Sequence, residues 1–250
     1  MTKTDILEKA KNFDKIVAVG DVHGKTKELG FRIKERYKIE DSIIILCGDI
    51  GFGFHKPAHH KAEFDNINRI CKKLNNLVFI IRGNHDDPDY FNGKKTCGEW
   101  SNVILIPDYT VIETKNFRSL CVGGGISIDR IIRKQGESYW KDEIPIYNEK
   151  RLKEIENIDF VFTHASPNFC DPVLKDGIKG WLKQDWQLEV DCDDEREVFT
   201  KIFNYFSSNN NIIKWWVYGH YHLSRTQKCG DTKFRAIDEL EFFEIPIESN

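Results

Sequence analysis

Five short apolar runs in this chain end in the same way. "IVAV" leads into "GDVHG", "IIILC" into "GDIG", "LVFII" into "RGNHDD", "FVF" into "THASP" and "WWVY" into "GHYH". Runs this short, rich in Val, Ile and Phe and stopped by glycine or a polar residue, have the pattern of buried strands. The residues just past them are Asp21 and His23, Asp49, Asn84 and His85, His164, and His220 and His222. A single His or Asp at a strand end is an ordinary turn residue. The repetition is what constrains the fold. Independent turns have no reason to favour His, Asp and Asn so consistently, beside glycines that allow close backbone approach.

Three further runs, "NVILIP", "SLCVGGG" and "EFFEIPI", also read as strands. Helical stripes fall between strands. Leu29, Ile33 and Tyr37 share a face behind Thr26, a candidate N-cap; Ile67, Ile70, Cys71 and Leu74 share a second; Val198, Ile202 and Phe206 share a third. The acidic run "DCDDERE" before that third stripe suits the first turn of a helix and a solvated face. The order is strand, helix, strand, helix, then more strands, an α/β layout with helices covering the sheets. Residues 1–250 are expected to form a single domain. In such folds the chemistry collects beyond the carboxyl ends of the strands.

The candidate ligands are two Asp, one Asn and four His with no thiolate, a set that suits manganese, iron or zinc. Seven ligands exceed one tetrahedral ion and fit two ions that share a carboxylate. The seven cysteines are scattered without a C-x-x-C pair, as expected of reduced thiols in a cytoplasmic protein. The N-terminal stretch has no apolar core of a secretory signal, and no run is long enough to span a bilayer. A net charge of −3 argues against a general electrostatic grip on nucleic acid.

"GDVHG", "GDIG", "GNHD", a separate "TH" and "GHYH", in this order, resemble the motifs of the calcineurin-like metallophosphoesterase family. The resemblance implies a two-sheet β-sandwich core flanked by helices on both outer faces. It also implies two metal ions: Asp21, His23, Asp49 and His222 would hold one, and Asp49, Asn84, His164 and His220 the other, with manganese the first expectation. His85 would sit beside the phosphate. Two cations make hydroxide available from a shared water near neutral pH and neutralise phosphoryl oxygens. The leaving oxygen then needs a proton, a role that the near-neutral intrinsic pKa of His85 suits.

The second motif departs from the protein Ser/Thr phosphatase branch, which runs G-D-x-x-D-R-G; here Phe52 and Gly53 replace its Asp and Arg. Asp86 and Asp87 are then the nearest residues that could orient His85. The stretch "GGGISIDRIIRKQGESYWKDEIP" resembles a loop of a bacterial and phage branch, making Arg130 and Arg133 candidates for the phosphate grip, with pairing to nearby acids as the alternative. His55, His59 and His60 read as members of an exposed loop entering a helix. Residues 167–181 read as a specificity loop. The expected reaction is hydrolysis of a phosphate ester on a small molecule or nucleotide, without a membrane partner. A nuclease or nucleotide phosphodiesterase of the same fold, or a metal-binding scaffold, is the alternative.

Overall fold

The computed structural model describes residues 3–172 and 177–246. The eight apolar runs are strands, and three more join them. In chain order the elements are α1 (Lys3–Ala10), β1 (Ile16–Val19), α2 (Thr26–Phe31), β2 (Ile43–Leu46), α3 (Pro57–Lys73), β3 (Leu77–Ile80), α4 (Pro88–Phe91), β4 (Val103–Leu105), β5 (Thr110–Glu113), β6 (Arg118–Val122), α5 (Glu149–Leu152), β7 (Phe160–Thr163), α6 (Ile178–Leu182), α7 (Leu188–Ser208), β8 (Trp215–Tyr218), β9 (Arg225–Cys229), β10 (Thr232–Ala236) and β11 (Phe242–Glu244). The helix α2 runs on into a π-helical turn at Arg32–Arg36.

The strands form two mixed sheets, ordered β11-β1-β2-β3-β4 and β5-β6-β7-β8-β10-β9. In the first, β1 to β4 are parallel and β11 is antiparallel; in the second, β6, β7, β8 and β10 are parallel between antiparallel β5 and β9. Strand alternation divides the apolar residues between three layers. Ile16, Ala18, Ile43, Ile45, Leu77 and Phe79 face Cys121, Phe160, Phe162 and Val217 between the sheets. The opposite faces of β1 to β4 meet Leu29, Ile33, Phe64 and Ile67 of α2 and α3. Those of β6, β7 and β8 meet Phe199, Ile202 and Phe206 of α7. Strands buried on both faces explain the unbroken apolar runs.

Two local expectations change. Thr26 is the first helical residue, and the cap position is Lys25, with no side-chain cap hydrogen bond. The acidic run begins in the first turn of α7 with Asp191 and continues into the helix, where Glu195 and Arg196 turn inward and are buried.

Candidate active site

All five motif strands are parallel members of their sheets, so their carboxyl ends lie at one edge of the sandwich. There the chain turns sharply. His23, Asp49, His220 and His222 all have positive φ, between 45° and 68°. That left-handed conformation is rare for residues with a Cβ and is held only where the surroundings enforce it. Gly83 shows how tight the approach is: a Cβ there would stand 2.1 Å from Oδ1 of Asp49.

These turns bring Asp21, His23 and His222 into one group of potential ligands and Asp49, His164 and His220 into another. A third, His23, Asp49 and His85, links them; within each, the ligand atoms lie within 4.8 Å of one another. Nε2 of His222 is 3.1 Å from Oδ2 of Asp21 and 3.0 Å from Nε2 of His23. Nε2 of His164 is 3.2 Å from Oδ1 of Asp49, 3.0 Å from Oδ1 of Asn84 and 3.1 Å from Nδ1 of His220.

The donor chemistry of this cluster fits a cation. Nδ1 of His164 lies 2.7 Å from the Cys47 carbonyl, which a ring N–H there satisfies. Nε2 of the neutral ring is then a lone pair facing a carboxylate, an amide oxygen and another imidazole nitrogen. Asn84 donates its amide nitrogen to Oγ of Ser127, which turns its oxygen inward. Without a metal, a proton on Nε2 would serve only one of these acceptors. Burial would push the His164 imidazole down, yet the charge and hydrogen bond of Asp49, with Asp21 behind, carry it up to about 9. Burial would raise Asp49, but the imidazoles of His164 and His85 hold it well below the usual carboxylate range. Burial drives the neighbouring Cys47 thiol well up, away from a thiolate ligand.

Asp86 and Asp87, the residues expected to orient His85, are engaged with other groups. The buried Asp86 carboxylate accepts the backbone N–H groups of Ile50, Gly51, Phe52 and Gly83, tying the loop after β2 to the loop after β3. Burial and then the charge of Asp49 raise it to about 6, against the pull of those N–H donors. Asp87 caps α4 and pairs with Lys95. A second buried support is Glu143, whose carboxylate accepts the N–H and Oγ–H of Ser127 behind Asn84. Glu195 accepts the N–H of Ile126 and lies 3.8 Å from Nε2 of His220. Its place on the apolar stripe of Phe199, Ile202 and Phe206 was the available sequence signal for it.

The substituted positions of the second motif have structural roles. Phe52 is buried against Phe64, Tyr90 and Phe91. Gly53 has φ of 101°, and a Cβ would stand 2.6 Å from the Trp140 ring, so an arginine has no room there. The segment that brings Trp140 also brings Arg133. Its terminal nitrogens lie 3.4 Å from Nδ1 and 3.2 Å from Nε2 of His85, within hydrogen-bond reach of the two ring nitrogens. Asp129 holds it from behind through Nε and a terminal nitrogen, at 2.5 and 2.9 Å. Arg130, by contrast, is committed to Asp185 and Asp191, at 2.6 and 2.5 Å. Arg82 braces the same segment through Asp108 and the carbonyls of Glu143 and Ile144. His60 is buried rather than exposed, and its Nε2 accepts the N–H of Gly53. Of the expected specificity loop, residues 173–176 lie outside the described residues.

Residues 14–224 match the profile of the calcineurin-like phosphoesterases, and the chain belongs to that family. Its members are phosphoesterases, and the clusters above are its candidate metal-binding residues. Among curated proteins none matches. One solved chain superposes over 92% of this chain and 94% of its own, with 15% identity and a TM-score of 0.53. A Staphylococcus aureus structure assigned as a 5′-nucleotidase, solved with α-ketoglutarate, does so over 90% of this chain, with 14% identity and a TM-score of 0.50. The match covers 48% of that nucleotidase, so this chain spans about half its length. At these identities the likeness is one of fold. Among the described residues, no helix is long and apolar enough to cross a membrane.

Replacing Asp86 by Ala strands four N–H groups, three of them buried. The Asp86→Ala protein should lose about 3 kcal/mol in urea unfolding. An unchanged unfolding midpoint would show that the two loops hold together without this carboxylate.

Proposed function

We propose that this chain hydrolyses phosphate esters at a centre of two metal ions, that His85 is its general acid, and that it belongs to the bacterial and phage-type branch of the family. The position of Asp49 supports this reading most. Its Oδ1 faces His164 at 3.2 Å, while its Oδ2 faces His23 and His85, each at 3.9 Å. One ion would be held by Asp21, His23, Asp49 and His222, and the other by Asp49, Asn84, His164 and His220. The oxygen and imidazole donors suit manganese, iron or zinc. When bound, such ions supply a nucleophile from water near neutral pH and neutralise phosphoryl oxygens.

The side chains of this protein provide the remaining functions. His85 lies at the rim of the centre with about a quarter of its side chain exposed, at 23%. A guanidinium within hydrogen-bond reach of the ring nitrogens competes with a metal for their lone pairs, which favours a role for His85 other than that of a ligand. Both groups would then meet the same substrate anion, held beside them. An imidazolium there delivers a proton to the departing ester oxygen, which would otherwise leave as an alkoxide. Arg133, pre-oriented by Asp129 and the Ser138 carbonyl, stands against His85 and would grip the phosphoryl oxygens. Arg130, neutralised by two carboxylates, would brace the segment that carries Arg133. The substrate on this reading is a phosphorylated small molecule or a nucleotide.

With manganese added and a series of monoesters of rising leaving-group pKa, His85→Asn should slow turnover by about 10²- to 10⁴-fold, most for the poorest leaving groups. A uniform loss across the series would contradict the acid role. Arg133→Ala should weaken inhibition by inorganic phosphate at least about tenfold, and Arg130→Ala much less. Equal effects of the two would remove the distinction between grip and brace.

A further inference from the structure

A cavity of about 220 Å³ is lined on one side by His23 and His85 of the ligand cluster and extends from there to Glu63 and Phe64. Its inner wall is apolar, built from the buried Ile50 and Phe64. Phe54 forms a side, its ring nearly parallel to that of His85, at 11° and 5.7 Å between centroids. The polar lining away from His23 and His85 is His55 together with His60 and Glu63 of α3. The Glu63 side chain is only 18% exposed and stands 3.4 Å from Nε2 of His59.

The position of this cavity follows from the acid it adjoins. A general acid must reach the leaving oxygen, so the group that carries that oxygen extends outward from His85. The cavity receives it there. Its volume is smaller than a drug-sized site and suits one flat ring system. The apolar wall and the Phe54 face favour an aromatic ring that stacks. An ionised carboxylate is an acceptor only, so Glu63 favours a ring whose edge presents N–H donors. A heteroaromatic base joined through a sugar to the phosphate meets all of these conditions.

We propose that this cavity seats the base of a nucleoside monophosphate, with the ring along Phe54 and its amino or imino edge at Glu63. The proposal rests on the phosphoesterase reading of the adjoining site and names its leaving group. Two measurements separate the claims. The first is binding of free guanosine and adenosine by calorimetry, which requires no hydrolysis. The second is the ratio of kcat/KM for GMP or AMP to that for ribose 5-phosphate, which lacks the base. The wild-type protein should bind a nucleoside and prefer the nucleotide, and Glu63→Gln should reduce both by about tenfold, the scale of one weakened charge-assisted hydrogen bond. Absence of nucleoside binding overturns the proposal, as does binding that Glu63→Gln leaves unchanged. Equal use of ribose 5-phosphate and nucleotide also overturns it while leaving the phosphoesterase reading intact. Nucleoside binding without hydrolysis of any ester would support the cavity and sink the phosphoesterase reading.

Discussion

Asp49 carries a buried negative charge at the line where the two sheets meet, and much of the local architecture serves to keep it there. It stands on a left-handed turn and accepts the N–H of His85 from the next strand end. It touches His164 from the opposite sheet. A buried carboxylate is costly unless it is paired. Here the nearest groups on one side are an amide oxygen and imidazole nitrogens that need a cation as much as Asp49 does. The same field reaches Asp86, which spends its own carboxylate on four backbone N–H groups. Strained turns, converging acceptors and two neighbouring carboxylates make an unfavourable core for a protein that binds nothing. They make a favourable one around positive charge.

The second motif shows how one substitution can be answered elsewhere in the chain. An Asp-Arg pair after Asp49 would need space and polar surroundings. This chain instead sinks Phe52 into an aromatic cluster and packs Trp140 onto Gly53. The segment that closes over Gly53 carries Arg133 to His85, with Asp129 fixing its plane. A positive group therefore reaches the rim of the centre from a different strand, and Phe54 is left to form the wall of a side cavity.

Much of this was legible in the sequence, because the features that matter most are local. Strands buried on both faces must be apolar throughout, so β1, β2, β3, β7 and β8 announce themselves, and the residues just past them can be named. The two-sheet arrangement came from the motif resemblance rather than from periodicity. Strands β5, β9 and β10 escaped because they flank or form an edge: "RTQKC" is mostly exposed and "TKFRA" only alternates. Arg130 and Arg133 could not be told apart, since the partner that occupies Arg130 is Asp185, 55 residues away. Asp86 seemed placed to orient its neighbour, but its carboxylate is taken by four backbone N–H groups of the two loops. Glu195 was hidden in an acidic run that composition assigns to solvent, although its spacing put it on the apolar face of α7.

In the proposed centre Asp49 joins two cation sites. Titration of metal-free protein with manganese, followed calorimetrically and checked by metal analysis after dialysis, tests it most directly. The account predicts two ions per chain in the wild type and loss of tight binding at both sites in Asp49→Ala, with the fold retained by circular dichroism. A stoichiometry of one or none, or two sites that persist in the folded Asp49→Ala protein, would contradict it.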